Sequence, residues 1–201
     1  MDLYVIGAGG LAREMAWLAQ SLGMSVVGFV DVTAGSVDGY PAITDDELLH
    51  RSDAYSAVVG LGTPGPRAGV VNRYAQQEHV DFPTLVHESA TVQGPCEIGR
   101  GTCLQAGVRL TGDIVIGDFV LLNLNVTVGH DAAIDPGVVA NPGATISGGV
   151  RIGRSALIGT GAVILENLTV GEEATVGAGA VVTRDVPAGV TVVGVPARPL
   201  P

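Results

Sequence analysis

The residues best suited to chemistry in this 201-residue chain are two neighbours, His130 and Asp131. A carboxylate beside an imidazole fixes the ring's tautomer and raises its basicity, as a general base near neutral pH requires. Successive strand residues point to opposite faces, so the two side chains meet only if the chain turns a corner there. Two other histidines, His50 and His79, lie in polar helical stretches and read as solvated. All ten basic residues are arginine, which excludes Schiff-base lysines, lysine general bases and the phosphate-loop lysine. Cys96 and Cys103 are too few for a disulfide framework.

A second constellation lies at the start. Gly7-Ala8-Gly9-Gly10-Leu11-Ala12 follows an apolar run, Leu3 to Gly7, and fits G-x-G-x-x-A. Helical spacing follows, with Leu11, Met15, Leu18, Ala19 and Leu22 on one face, then a second run at Val26 to Val30 closed by Asp31. Such glycines let a ligand approach backbone N–H groups at a positive helix N-terminus, and an acid ending the second strand can accept from a ribose or a base edge. Alone the motif also suits NAD or a tight turn with no ligand. A strand at Ala57–Leu61 and a helix over 67–78 complete a unit of about 80 residues. With three or four strands it is half a dinucleotide domain and more naturally holds one nucleotide. Arg13 and Arg67, the latter after the Gly62-Thr63 loop, are the cations available for a phosphate or a sugar carboxylate, or else solvated surface arginines.

From Val86 the sequence repeats every six residues. Aliphatic positions run without a break from Val86 through Ile98, Leu110, Leu122, Ile134, Ile146 and Ile158 to Val182, and small residues such as Ala132, Ala144, Ala156 and Ala180 lie four places after them. One inward side chain per hexad suits a prism of three flat parallel sheets, in which residues eighteen apart stack at about 4.8 Å. His130 stands at the third place of its hexad, where the chain turns, and Gly148 stacks on it one coil later. The Gly148-Gly149 pair clears the wall beside the imidazole and leaves backbone N–H groups for a developing oxyanion. Asn123 and Asn141 are a further stacked pair needing no chemistry.

These features together resemble a known family. The hexads VGEEAT and VGAGAV, the closing VVTRDVPAGVTVVGVPARPL, the opening VIGAGGLARE, the VGLGTPGPR segment and the VGHD tetrad are similar to bacterial sugar acetyltransferases of the sialic-acid O-acetyltransferase and nucleotide-4-amino-sugar N-acetyltransferase type. The resemblance covers essentially the whole chain. It implies an α/β, half-Rossmann-like domain over residues 1–85 that binds a nucleotide sugar through Gly9, Gly10, Leu11, Arg13, Asp31, Gly62 and Arg67. It further implies a left-handed parallel β-helix over 86–186 and a terminal extension over 187–201. His130 and Asp131 are then catalytic, with Asn123 facing the acceptor, and His87 is structural. Acetyl-CoA is the co-substrate, lying near Val139, Gly148, Thr160 and Ala178 along the same edge as the base, with Arg198 able to meet a coenzyme phosphate. The family often carries two successive acids where this chain has Asp31-Val32. The resemblance also implies a homotrimer with sites between subunits.

The expected reaction is direct N-acetylation of a nucleotide-linked amino sugar, with O-acetylation of sialic acid or another sugar hydroxyl as the alternative and a nucleotide-binding trimeric scaffold as the non-enzymatic one. No metal is expected: a zinc hydratase on this prism needs three histidine ligands and the repeat proper offers one. A net charge of −10 disfavours nucleic acid as a partner. No apolar run approaches the roughly 20 residues of a membrane span, and the opening lacks a secretory pattern, so a cytoplasmic protein is expected.

Overall fold

The structure is a computed structural model and describes residues 1–200. The chain divides into two compact units, one ending at Leu85 and one beginning at Val86.

In the first unit a six-stranded sheet is built from β1 (Leu3–Ile6), β2 (Val26–Asp31), β3 (Gly35–Val37), β4 (Tyr40–Thr44), β5 (Tyr55–Val59) and β6 (Val80–Asp81), in the order β3-β4-β2-β1-β5-β6. Every pairing is parallel except β3 with β4. The half-domain of three or four strands is thus an underestimate. The added strands are short, and β3 and β4 close around Asp38-Gly39, both at positive φ (48° and 82°), the geometry of a two-residue hairpin turn. The Asp-Gly pair was the available signal.

Helix α1 (Gly10–Ser21) packs on the sheet through Ala12, Met15, Ala16, Leu18 and Ala19, while Leu11 is half-buried and Leu22 is exposed. The buried stripe is rotated toward alanines because the helix comes very close: a Cβ on Gly60 would lie 2.6 Å from the Cα of Ala12. The next strand and helix both begin earlier than their expected spans. β5 starts at Tyr55, and α3 (Pro64–Tyr74) opens with proline in its first turn and ends at Tyr74.

Asp45 opens the short helix α2 (Asp45–Leu49), whose N-cap Thr44 forms a reciprocal capping box with Glu47. The Tyr74 hydroxyl donates to Asp45 Oδ1 and Arg73 Nη1 to Oδ2, both at 2.6 Å, tying the end of α3 to the start of α2.

The second unit is a prism of three sheets with eight, six and five strands. The first face holds Cys103–Leu104, Leu121–Leu122, Val139–Ala140, Leu157–Ile158 and Thr175–Val176; the second holds Arg109–Leu110, Thr127–Val128, Thr145–Ile146, Val163–Ile164 and Val181–Val182; the third holds Ile114–Ile116, Ala133–Ile134, Arg151–Ile152 and Thr169–Val170. Neighbouring strands pair in parallel with a register of eighteen, as Thr127 with Thr145 and Ala133 with Arg151. The last coil is shorter, Thr175 pairing with Thr191. The expected inward rows form one continuous core: Leu104, Leu110, Ile116, Leu122 and Val128, with Val126, Ala132, Val138 and Ala144, are all at most 2% exposed.

At every corner from Gly101 to Gly179 one residue in each hexad takes positive φ. Half are glycine; the rest are Asp113, Phe119, Asn125, Asp131, Ser155, Asn167 and Glu173. A side chain in this region costs roughly 1–2 kcal/mol, so the coil-to-coil ladder and the filled core impose it.

Burial pushes the Tyr74 phenol far above its ordinary value, and its bond to Asp45 adds to the rise. The folded value exceeds the unfolded one, so this contribution is complete below the unfolded pKa of about 10 and is lost as pH rises beyond it. Tyr74→Phe is expected to cost about 1.5–3 kcal/mol at neutral pH and to flatten the alkaline loss of stability, measured by urea denaturation between neutral pH and pH of about 11.

Candidate active site

His130 and Asp131 follow the strand Thr127–Val128, at the edge where the second face turns into the third. Asp131 is the left-handed residue of that corner, φ 59°, and this bend swings its carboxylate beside the preceding ring. His130 Nδ1 and Asp131 Oδ2 lie 2.7 Å apart, with both side chains mostly in solvent. The carboxylate can only accept, so it selects the Nδ1–H tautomer and leaves Nε2 as a lone-pair acceptor.

The free end of the ring lies over Gly148. A Cβ at Gly148 would meet His130 Nε2 at 2.7 Å and Cε1 at 2.8 Å, so any side chain there must displace the imidazole. The expectation that both glycine N–H groups stand free is corrected by the coil ladder. The Gly149 N–H donates to the His130 carbonyl at 2.8 Å. The Gly148 N–H remains, because from Ala106 to Ala178 the third place of a hexad donates nothing to the coil-to-coil ladder. Prolines occupy that place at Pro136 and Pro142, where no N–H exists.

In the first unit, the sheet order places the topological switch between β1 and β5, where the Gly7–Leu11 turn and the Gly60–Gly62 loop adjoin. Gly7 has φ 114° and its Cβ would press on Leu61 and the Gly60 carbonyl, so it is required by the turn. Gly9 and Gly10 differ: a Cβ on either would meet nothing within 4 Å, so the protein's own packing does not demand them. Gly9 is the N-cap of α1, without a side-chain cap or an acid in the first turn, so the first helical N–H groups and the positive dipole end face outward. Leu11 is half-buried against Gly62. Asp31 ends β2 with Oδ1 accepting from the Val32 N–H at 2.7 Å, which leaves Oδ2 for a ligand. Arg13 is exposed and 3.9 Å from Asp38.

Arg67 is neither an available cation nor a surface arginine. It is 1% exposed, and its Nη1 donates to the carbonyls of Val59 (2.7 Å) and Leu61 (3.2 Å), holding the end of β5 from beneath. His79 lies beyond α3, half-buried, with its ring edge-on to Tyr55 at 5.6 Å rather than in a solvated helix. His87 Nδ1 accepts from the Ser89 N–H at 3.1 Å, a local turn contact.

Comparison with known proteins bears on both units. Residues 2–74 match the PglD N-terminal domain, and residues 149–184 match the bacterial transferase hexapeptide of six repeats. No curated protein matches. Among solved structures, the acetyltransferase domain of PglB from Neisseria gonorrhoeae FA1090 is 40% identical with a TM-score of 0.92, covering 99% of each chain, and it is also known in complex with acetyl coenzyme A. WeeI from Acinetobacter baumannii AYE is 32% identical, TM-score 0.93, over 100% of each chain. A histidine variant of perosamine N-acetyltransferase from Caulobacter crescentus, in complex with CoA and GDP-perosamine, is 30% identical, TM-score 0.93, over 100% of this chain and 97% of that one. The chain belongs to the hexapeptide-repeat sugar acetyltransferases.

Within this acetyltransferase one group expected beside His130 lies elsewhere. Thr160 and Ala178 are exposed and stacked, a Cβ on Gly159 meeting the Ala178 nitrogen at 2.5 Å, but they sit where the first face turns into the second. Thr160 is thirty residues from His130, which is not a multiple of eighteen, so the two cannot share an edge. Asn123 lies on the same edge as Thr160, buried to 8% exposure, with Oδ1 accepting from the Leu124 N–H at 2.7 Å. Val139 is within a strand of the first face with no exposed surface, and its N–H is spent on Ala156, so it cannot line a coenzyme groove. Cys103 is fully buried and burial pushes the Cys96 thiol up, so neither is an activated nucleophile. Among the described residues no helix is long and apolar enough to cross a membrane, and no group of three or more His, Cys, Asp or Glu is placed to hold a metal.

Gly148→Ala separates positioning from folding. The imidazole is exposed and can swing aside, so stability should change by no more than about 0.5 kcal/mol. Acetyl transfer should fall by about 10²-fold, because the imidazole is displaced by an ångström or more. Thermal denaturation and turnover on the same preparation check both.

Proposed function

We propose that this acetyltransferase N-acetylates a nucleotide-linked amino sugar by direct transfer from acetyl-CoA. The observation that carries the reading is the imidazole fixed by Asp131 with its free nitrogen over a side-chain-free Gly148. The sugar amine attacks the thioester carbonyl while His130 Nε2 takes the amine proton, and the Gly148 N–H donates to the tetrahedral oxyanion. Collapse expels the coenzyme thiolate, which recovers a proton from the imidazolium. No covalent enzyme intermediate forms.

The uncapped N-terminus of α1, with open space at Gly9 and Gly10, suits a nucleotide diphosphate, and the free oxygen of Asp31 suits a ribose hydroxyl or base N–H. The complex of the Caulobacter relative with CoA and GDP-perosamine supports an amine acceptor over a hydroxyl.

The acting species is a homotrimer. A single chain carries His130 and Gly148 on one edge and Asn123, Thr160 and Ala178 on the next. The intervening second face presents Thr127, Thr145, Val163 and Val181, uncharged and half-buried, with the exposed Arg109 at its N-terminal end. Three copies packed through this face bring the base-bearing edge of one against the preceding edge of its neighbour, which completes the coenzyme groove.

The test is thiol release from acetyl-CoA by the purified chain against UDP-, GDP- and dTDP-linked 4-amino sugars and free sialic acid. Turnover with one nucleotide-amino sugar, reduced by roughly 10² or more in His130→Ala, is expected. Turnover with sialic acid alone would reassign the reaction to O-acetylation, and undiminished turnover in the variant would remove the base.

A further inference from the structure

The outward column of the second face is uniform with one exception. Its positions, paired rung to rung in parallel, are Thr91, Arg109, Thr127, Thr145, Val163 and Val181. All are β-branched and uncharged except Arg109, an exposed guanidinium. Its backbone is fixed, since the Arg109 N–H donates to the Val126 carbonyl at 2.9 Å. Its side chain is in no ion pair among the described residues. The acids nearest in position, Glu88 and Asp113, belong to the two flanking corners rather than to the face.

The width of a face sets what an arginine there can reach. Six residues at about 3.3 Å make a side of about 20 Å, and the centre of a triangle with such sides lies about 6 Å from each of them. In a trimer closed through the second face, this is the distance from each outward Cα to the threefold axis. The short side chains from Thr127 to Val181 allow that approach and fill the space around the axis. An extended arginine reaches about 6 Å from Cα to its guanidinium carbon at ordinary bond lengths. Three copies of Arg109 therefore meet on the axis at one height, near the N-terminal end of the column. They form a local excess of positive charge in a chain of net charge −10, with no acid on the face to offset it.

We propose that the three Arg109 side chains of the trimer bind a phosphate-type oxyanion on the threefold axis. This rests on the trimer packed through the second face and adds a ligand to it. A tetrahedral oxyanion has the symmetry of the site: with one P–O bond along the axis, each of the other three oxygens faces one guanidinium fork. The oxygen on the axis points past the Thr91 rung, so a phosphate monoester offers the same three oxygens as the free ion. Such an anion binds the trimer and not the separated chains, so it favours assembly by mass action. Since the base and the opposite wall come from different copies in that assembly, the anion also favours the active form.

Calorimetric titration of the full chain with inorganic phosphate, in a low-salt buffer free of other oxyanions, tests this. The expected stoichiometry is one phosphate per three chains, which no site within a single chain can give. Arg109→Gln should weaken binding by about 10²-fold or more, because it removes three cations at once. Arg109→Lys should keep the stoichiometry with lower affinity, and Arg151→Gln, a control on the third face, should change neither. In sedimentation, phosphate should shift the wild type to trimer at lower protein concentration and leave the distribution of Arg109→Gln unchanged. Glycerol 3-phosphate binding with the same stoichiometry extends the site to phosphate monoesters; binding of inorganic phosphate alone restricts it to the free ion. A trimer that takes up no phosphate, or takes up one per chain regardless of Arg109→Gln, would overturn the proposal and leave the assembly standing, with the guanidiniums paired to acids across the interface. A wild-type chain that stays monomeric at every concentration would remove the trimer itself.

Discussion

One residue per hexad in the left-handed backbone conformation is the constraint on which the second unit depends. Because the turn recurs every sixth residue from Gly101 to Gly179, each face is two or three residues wide and each coil eighteen long. The inward aliphatic side chains then stack into a single column, with Leu122, Ala140 and Ile158 in line. The site follows from the same constraint. The bend at Asp131 is one of these corners, and it alone lets two consecutive side chains face each other at 2.7 Å. The candidate pair is an ordinary corner filled with an imidazole and a carboxylate.

The same period divides the functional residues between edges. Positions within a residue or so of a multiple of eighteen share an edge, and positions six or twelve off do not. His130, Gly148 and Glu166 share one, whereas Thr160 and Ala178 share another with Asn123. An isolated chain presents His130 and Gly148 on one edge and Asn123, Thr160 and Ala178 on a different edge. The proposed assembly through the second face joins the two edges without moving any backbone.

Most of the second unit is legible in the sequence because a packed column of aliphatic residues leaves a strict spacing that nothing else produces. The His130–Asp131 contact and the stacking of Gly148 on the imidazole are readable from the same arithmetic. Resemblance alone puts Thr160 on the His130 edge, whereas its distance of thirty residues from His130 puts it on another. The first unit gave less, because its decisive contacts are tertiary. Arg67 reads as a surface cation until Val59 and Leu61 are seen to end a strand above it. The packing stripe of α1 is set by the approach of Ala12 to Gly60, which hydrophobic spacing alone does not reveal. Only the Asp38-Gly39 hairpin was written locally and passed over.

The proposed site needs two copies of the chain, and subunit mixing tests this most directly. His130→Ala removes the base and leaves the opposite wall intact, while Thr160→Trp blocks the wall and leaves the base intact; each homotrimer should be inactive. Co-refolded at equal amounts, the two should recover activity in about one quarter of the sites, the random share in which an intact base faces an intact wall across an interface. No recovery in mixtures shown to exchange subunits would mean that base and wall act within one chain, and would contradict the account.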